Sequence, residues 1–215
     1  MTNMTDMTDK IRILLKAYGE ELTLEQITKI FSNRNTNNKE EIQNAIPELL
    51  SAKLIIQTTD NTYKTACEER PNFFYVFQSI SFNKEMPENC LFCPHSPANH
   101  TYPFWESIGD VKKGDIIFHE TNQHVAAISE AQSEARDADK PYELNKPEHG
   151  RVLHTLYANL ANQIAPVELK DQLLPAQPER VAPFNRNGKG NEGYLFYFNQ
   201  ECAKIIIDGI INNVR

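Results

Sequence analysis

The segment Phe73-Phe74-Tyr75-Val76-Phe77 opens the part of the chain that decides the fold. A run of aromatic and β-branched residues directly after the polar, proline-bearing stretch 67–72 predicts a buried strand. The chain then alternates short apolar segments with turn residues, and it ends in a helical pattern over residues 200–211. Further strands are predicted at residues 115–119, 125–131, 152–160 and 194–198, and a helix at residues 103–108. Short strands with few helices are typical of a compact barrel.

The residues before this strand have a helical pattern instead. Apolar residues recur with helical spacing over residues 11–18 and stop at Gly19, which predicts a first helix that ends there. Thr23 and Gln26 have the spacing of a capping box, so we expect a second helix to begin after Thr23 and to run to about Phe31.

A third amphipathic helix is predicted over residues 42–50, where Pro47 must either delay its start or kink it. A hairpin follows, with strands over residues 54–57 and 62–65. Three helices and a hairpin in this order resemble the layout of a winged-helix domain, although no specific motif accompanies the layout.

The start of the would-be recognition helix argues against DNA contact by this domain. Glu40 and Glu41 lie in its first turn, where carboxylates would repel phosphate groups. We therefore expect residues 1–68 to serve a structural role or to contact a protein, with direct DNA contact as the alternative.

Composition limits the function classes. With 215 residues and 40% apolar content, the chain has room for two small domains with cores of their own. A net charge of -7 argues against a protein that holds bare duplex DNA by overall charge, so any nucleic-acid contact must be local. The polar N-terminus and the absence of a long apolar run predict a cytoplasmic protein with no membrane segment. Four cysteines in a chain of this length predict thiols rather than a disulfide scaffold.

Several short segments after residue 72 carry a family resemblance. In chain order they are Phe74-Tyr75-Val76-Phe77-Gln78-Ser79, Asn89-Cys90-Leu91-Phe92-Cys93-Pro94, Phe104-Trp105-Glu106, Lys113-Gly114-Asp115-Ile116-Ile117-Phe118-His119 and Asn185-Arg186-Asn187-Gly188-Lys189-Gly190-Asn191. Over about residues 72–207 this order resembles the EVE-type domain of the PUA-like superfamily. That group includes modified-base readers fused to McrB-like and HNH restriction nucleases, and it is distantly similar to YTH domains. The resemblance implies an α+β chain with a winged-helix-like domain at residues 1–68, a linker at 69–72 and a PUA-like barrel with flanking helices at 73–215.

The resemblance also implies a pocket for a flipped base. Such a pocket needs planar side chains that sandwich the ring and polar groups that face its hydrogen-bonding edge. Phe92 stands where the related domains place a tryptophan, and the Trp105 segment also matches. The implied pocket residues are Gln78, Ser79, Phe82, Asn83, Phe92 and Trp105. Core packing remains an alternative for Trp105, anchoring of the loop remains one for Phe82, and an ordinary turn remains one for Ser79 and Asn83.

The Asn/Gly loop is the predicted phosphate contact. Its glycines and the lack of bulky side chains would let backbone amides approach an anion, and each nearby cation would add one salt-sensitive contact. The predicted phosphate-binding residues are Arg180, Asn185, Arg186, Asn187 and Lys189. The alternative is a solvated surface turn.

No metal, cofactor or catalytic centre is predicted. Cys90, Cys93, His95 and His100 invite a zinc interpretation, but they crowd into one short segment, whereas structural zinc sites take separated pairs of ligands. The chain has no G-x-S-x-G, P-loop or H-E-x-x-H motif, and Glu168-Leu169-Lys170 lacks a partner aspartate for nuclease chemistry.

These observations predict a non-catalytic reader of DNA that carries a modified base, in a modification-dependent restriction or phage-defence setting. Cleavage would need a partner nuclease or NTPase, because the chain contains neither. Three alternatives stay open: a reader of modified RNA, a winged-helix transcription regulator with a ligand-sensing barrel, and a protein-interaction adaptor.

Overall fold

The computed structural model describes residues 6–96, 98 and 101–213. It has a mixed α+β fold, as predicted, built around a curled half-barrel sheet. The first elements are α1 (Met7–Tyr18), β1 (Leu22–Thr23), α2 (Leu24–Phe31), α3 (Lys39–Ser51), β2 (Ile55–Thr59) and β3 (Thr62–Thr65). After them come β4 (Phe73–Phe77), α4 (Phe82–Glu85), β5 (Cys90–Pro94), α5 (Pro103–Glu106), β6 (Ile116–Thr121), β7 (His124–Ala131), β8 (Arg136–Asp139), β9 (His149–Ile164), α6 (Lys170–Ala176), β10 (Leu195–Phe198) and α7 (Gln200–Asn213).

The N-terminal helices begin and end where local chemistry predicts. Gly19 ends α1 in the left-handed region at φ 73°, and its amide donates to the carbonyl of Leu15. Thr23 and Gln26 form the predicted capping box at the start of α2. Helix α3 already begins at Lys39 with Pro47 inside it, so the late start allowed at the sequence level is wrong. None of the described helices is long and apolar enough to cross a membrane.

The large sheet has the strand order β10-β4-β6-β7-β9-β5, and β8 also pairs with β9. Strands β4 and β6 are parallel, and the other neighbours are antiparallel. Because β10 and β5 lie at the two ends of this order, the described strands form an open half-barrel rather than the closed compact barrel expected from the sequence.

Two strands of the sheet were not predicted. Strand β5 coincides with the Cys-x-x-Cys segment. This segment is apolar, but its cysteines suggested a metal site instead of a strand. Strand β8 is polar and mostly exposed, so it lacks the alternation that marks a strand in sequence. Strand β9 is 16 residues long, far longer than the predicted segment, and it joins β5 and β8 to the rest of the sheet.

The two faces of the sheet have separate hydrophobic cores. Phe73, Tyr75 and Phe118 belong to one large cluster with the apolar residues of α1, α2, α3 and α7, so the helices cover this face. Phe74, Val76 and other alternate residues form a second cluster on the concave face. The division into domains at residues 68 and 73 stays a prediction, but the apolar core is continuous across it.

Charge pairs add to this contact between the halves. Glu130 on β7 is 7% exposed, and its two carboxylate oxygens lie 2.7 Å from Arg12 Nη2 and 2.7 Å from Lys16 Nζ, both on α1. Helix α1 is therefore fixed to the sheet by apolar packing and by an ion-pair triad.

Candidate binding site in the half-barrel

A buried carboxylate, Glu85, is the polar centre of the concave side of the sheet. It is 0% exposed and lies at the end of α4, the short helix that follows β4. Donors converge on it from the amide of Gln78, the phenols of Tyr142 and Tyr194, and the backbone N–H of Phe92. Both phenolic oxygens lie 2.9 Å from Oε1, and the Phe92 nitrogen lies 3.2 Å from it. Donors from four separate parts of the chain are thus aimed at one carboxylate, as the burial of a charge requires.

Helix α4 directs two side chains to this centre. Phe82 and Glu85 are three positions apart, which places them on the same face of a helical turn. The ring of Phe82 lies 6.2 Å from that of Tyr157 and 6.5 Å from that of His119, measured between centroids. Tyr157 and His119 are themselves 4.4 Å apart. These rings form an aromatic wall beside the carboxylate.

A directed chain of hydrogen bonds joins Glu85 to β7. Nδ1 of His119 lies 2.7 Å from Oε1 of Gln78, and Nε2 lies 2.6 Å from Oγ of Ser129. Because Gln78 donates its Nε2 to Glu85, its Oε1 accepts from Nδ1–H of His119, and Ser129 donates to Nε2. Burial lowers the pKa of His119 to about 3, so the imidazole is neutral and has the one donor and one acceptor that this chain needs.

Burial also controls the charge of the carboxylate. It raises the pKa of Glu85, and the hydrogen bonds from Gln78, Tyr142 and Tyr194 act in the opposite direction without cancelling it. Burial, followed by the charge of Glu85, raises the pKa of Tyr194 well above its ordinary value. The phenols therefore remain protonated donors, while Glu85 takes up a proton more readily than an exposed glutamate.

A loop formed by residues 140–148, between β8 and β9, closes the site. Its Tyr142 meets the Phe92 ring edge-on, with centroids 6.3 Å apart and planes at 85°. Lys140 Nζ lies 5.5 Å from the centroids of both rings. The ion pair between Lys84 and Glu143, at 2.6 Å, ties the loop to α4. Tyr142 thus occupies the space between the Phe92 ring and the Glu85 carboxylate.

The predicted pocket residues are only partly brought together. Gln78, Phe82 and Phe92 gather around Glu85. Ser79 and Asn83 are exposed, and the recorded contact of Ser79 is its carbonyl, which accepts from the hydroxyl of Thr121. Ser79 lies in the bend after β4, and Asn83 lies on the exposed side of α4, so neither side chain faces Glu85.

Phe92 and Trp105 lie on opposite sides of β5. Phe92 and Cys90 belong to one apolar cluster, whereas Leu91 and Cys93 belong to the concave cluster against which Trp105 packs. Side chains alternate along a strand, so in this arrangement the two rings do not face each other. Trp105 packs instead with Tyr102 and Phe104, at centroid distances of 4.8 and 6.5 Å.

The Asn/Gly loop uses its backbone amides internally. The amides of Asn187 and Lys189 donate to Oδ1 of Asn185 at 2.9 and 3.4 Å, and the amide of Gly188 donates to its carbonyl at 2.8 Å. The amide of Asn185 donates to the carbonyl of Lys189 at 2.8 Å. These amides are not free to cradle a phosphate, contrary to the sequence-based expectation.

The cations near this loop are available for contact. Arg180, Arg186 and Lys189 are exposed, and none of them forms an ion pair with another described residue. The loop packs closely on the sheet, because a Cβ at Gly190 would lie only 2.7 Å from Cε1 of Phe77. A phosphate contact here would therefore use side chains rather than main-chain donors.

The described residues of the cysteine segment are not arranged as a metal site. Cys90 and Cys93 lie in clusters on opposite faces of β5 and are both buried, and burial raises the pKa of each thiol to about 12. His100 lies outside the described residues. Within the described part of the chain, no group of three or more His, Cys, Asp or Glu residues is arranged to hold a metal ion.

Several residues of the site escaped sequence reasoning. Glu85 had a usable signal, since it stands three positions after an apolar residue in a short helical segment. His119 lies in the segment 113–119 that carries the resemblance, which implied no role for its ring. Tyr142 lies in a polar loop where nothing in the sequence indicates that its hydroxyl reaches a carboxylate on α4.

Comparisons with known proteins do not assign the chain to a family. No protein-family model matches it, and a search of curated proteins finds no match.

Proposed function

We propose that this protein is a non-catalytic reader of nucleic acid that binds a modified base, most readily in DNA, at the Glu85 site. The observation that carries the proposal is the convergence of the Gln78, Tyr142 and Tyr194 side chains on one buried carboxylate, with Tyr142 packed against the ring of Phe92. A flipped base presents the same two requirements, a planar face and a hydrogen-bonding edge. The resemblance of the segments after residue 72 to EVE-type domains agrees with this chemistry.

The polar groups favour a base with an exocyclic amino group. A carboxylate accepts from the amino group of cytosine, and an amide side chain pairs with adenine. Entry of either base requires Tyr142 to leave, which frees one acceptor position on Glu85 and one side of the Phe92 ring. Stacking on one aromatic ring contributes roughly 1–3 kcal/mol, which is comparable with the few kcal/mol that extrusion costs. Because these two energies nearly cancel, a modification on the base that fills the remaining space of the site would decide whether the base binds.

The exposed cations Arg180, Arg186 and Lys189 contact the phosphates that flank the extruded base. The element order α1-β1-α2-α3-β2-β3 of the N-terminal part supports a winged-helix-like unit there. After its first residue, Lys39, the exposed face of its α3 carries Glu40, Glu41 and Glu48, which disfavours DNA contact along the rest of that helix. This acidic face suits a protein partner, such as the nuclease or NTPase that cleavage would need.

The test is binding of the full chain to matched oligonucleotides, because the N-terminal helices and the sheet share a core. The oligonucleotides carry cytosine, adenine or their methylated, hydroxymethylated and glucosylated forms, each as DNA and as RNA. We expect a preference for one modified DNA base. Phe92→Leu should remove this preference, and Trp105→Phe, on the other side of β5, should retain it.

Equal binding of modified and plain bases by the unsubstituted protein would overturn the reader proposal. A preference confined to RNA would replace DNA by RNA as the ligand. Loss of preference in Trp105→Phe but not in Phe92→Leu would place the site elsewhere on the barrel.

A further inference from the structure

A polar groove of about 700 Å³ lies between the α2–α3 loop and β9, far along the chain from Glu85. Its lining includes Lys29, Arg34, Lys39, Asn33 and Asn162. We propose that this groove, hereafter the α2–β9 groove, binds the phosphate backbone of the nucleic acid whose base enters the half-barrel. The inference rests on the proposed function, and it assigns a second contact surface that the sequence did not indicate.

The α2–β9 groove has an excess of positive charge. The groove is lined by three cations and by a single carboxylate, Glu25, in a chain whose net charge is -7. Glu25 pairs with Lys29 at 3.1 Å. Arg34 and Lys39 are exposed and form no ion pair within the described residues. Two cations thus remain uncompensated in one concavity, and their positive potential favours an anion.

The groove is also preorganised. The side-chain amide of Asn162 donates to the carbonyls of Lys29 and Ser32, the latter at 3.0 Å, and that of Asn33 donates to the carbonyl of Ala161. Oδ1 of Asn33 accepts from the amide of Thr36 at 2.8 Å. The loop that carries Arg34 is therefore fixed to β9 before any ligand arrives, which reduces the ordering cost of binding.

The shape indicates an extended ligand. A second cavity of about 480 Å³ shares Glu25, Thr28 and Lys39 with the groove and continues to Gln43 and Asn61 at the β2–β3 hairpin. A single phosphate would not fill two adjoining polar cavities, whereas a sugar–phosphate strand would. Amide side chains along the way can donate to phosphate and sugar oxygens.

The groove and the base site are connected by one strand. Tyr157, beside Glu85, and Asn162, in the groove, are five positions apart on β9, with an irregularity in the strand pairing between them. Asn162 contacts α2 on the helix-covered face of the sheet, whereas Tyr157 belongs to a different apolar cluster. The two sites are thus anchored to the same strand, on opposite faces of the sheet.

The experiment measures affinity of the full chain for modified and plain DNA over a series of salt concentrations, for the unsubstituted protein and for Arg34→Gln/Lys39→Gln. The matched control is Lys53→Gln/Lys113→Gln, which changes the net charge equally at two exposed lysines outside the groove. We expect the groove variant to bind both DNAs about tenfold more weakly at 50 mM salt. The slope of log affinity against log salt should become shallower by about 1.4–1.8, because two phosphate contacts are lost.

The ratio of affinities for modified and plain DNA should stay unchanged in the groove variant. An unaltered salt slope, or an equal loss in the control variant, would overturn the groove proposal while leaving the base preference as evidence for the reader. Conversely, absence of any base preference with a groove-dependent slope would overturn the reader and support the groove. Absence of binding to any nucleic acid would overturn both.

Discussion

The phenolic oxygen of Tyr142 lies 2.9 Å from Oε1 of Glu85, although the two residues are 57 positions apart in the chain. Tyr142 comes from the loop before β9, and Glu85 comes from the helix after β4. The contact brings a polar surface loop onto a fully buried carboxylate. The Tyr142 hydroxyl has two effects on Glu85. It donates a hydrogen bond to the buried carboxylate, and it keeps other donors away from the same oxygen.

Tyr142→Phe should lower the free energy of unfolding by about 1.5–3 kcal/mol at neutral pH, because a buried carboxylate loses one donor. The loss should shrink in acid, where Glu85 is protonated and needs fewer donors. Tyr197→Phe is the matched control, since its hydroxyl donates to the exposed Asp110 at 2.5 Å and should contribute less than about 1 kcal/mol. Urea unfolding of the three proteins measures these differences, and equal losses would contradict the role of the buried carboxylate.

Burial of His119 predicts a pH dependence of stability. The pKa of this imidazole is lowered to about 3 by burial, from an ordinary value of 6.5. Between these values the unfolded chain binds more protons than the folded one, so stability is complete above pH 6.5 and is lost as pH falls. One such group contributes a slope of about 1.4 kcal/mol per pH unit. Glu85 has the opposite sign, because its pKa is raised: its contribution is complete below 4.5 and is lost as pH rises.

The substitution His119→Asn separates the contribution of His119 to the pH dependence of stability from that of Glu85. Asparagine does not titrate, and its Nδ2 can replace the donor to Gln78, while Glu85 is present in both proteins. Between pH 6 and pH 5, the free energy of unfolding of the unsubstituted protein should fall by about 1 kcal/mol more than that of the variant. Parallel pH profiles from urea unfolding would show that His119 is not buried as a neutral imidazole.

Several helix boundaries and strands could be predicted from the sequence because the signals that determine them lie in adjacent residues. The Thr23–Gln26 capping box, the stop at Gly19 and the aromatic run of β4 all act within a few positions. The same reasoning missed β8, whose pairing is decided by β9 rather than by its own polar residues.

The site was predicted less completely because it depends on distant contacts. Gln78, Phe82 and Phe92 were identified through the resemblance, and they do gather at one place. Glu85 and Tyr142 were not identified, because their hydrogen bond forms only when β5, α4 and the loop of residues 140–148 come together. The rings of Phe92 and Trp105 lie on opposite sides of β5 because α5 packs against the cluster of Leu91 and Cys93, a contact that adjacent residues do not determine.

The shared core predicts cooperative unfolding. Apolar residues of α1, α2 and α3 pack in one cluster with Tyr75 and Phe118 of the sheet, and Glu130 joins α1 through two ion pairs. We expect a single urea transition in which far-UV circular dichroism and the fluorescence of Trp105 change together. Circular dichroism reports mainly on the helices, whereas Trp105 lies in the sheet half. Two separated transitions would show that the halves fold independently.

Truncation gives the complementary result. A fragment of residues 73–215 keeps α7 but loses α1 and α2, which contact β7, β9 and α7, so the apolar surface under these two helices becomes exposed. Such a large apolar surface favours association or a loosely packed state. We expect the fragment to lack a cooperative transition at concentrations where the full chain has one, and a monomeric, cooperatively unfolding fragment would contradict this expectation.

Gly190 is expected to resist substitution for a steric reason. A Cβ at this position would lie 2.7 Å from Cε1 of Phe77, closer than side chains tolerate. The Phe77 ring cannot move away, because it packs edge-on against Tyr75 and Phe196 at centroid distances of 5.2 and 5.4 Å. Gly190→Ala should therefore lower the free energy of unfolding by about 1–3 kcal/mol, the usual cost of overpacking.

Gly109→Ala is the matched control for this substitution. A Cβ there would meet only Nη1 of Arg151, at an ordinary contact distance of 3.6 Å, so its effect should stay within about 0.5 kcal/mol. Urea unfolding of both variants measures the difference. If Gly190→Ala proved as stable as Gly109→Ala, the Asn/Gly loop would not be packed on the Phe77 ring, and its backbone amides would again be candidates for phosphate contact.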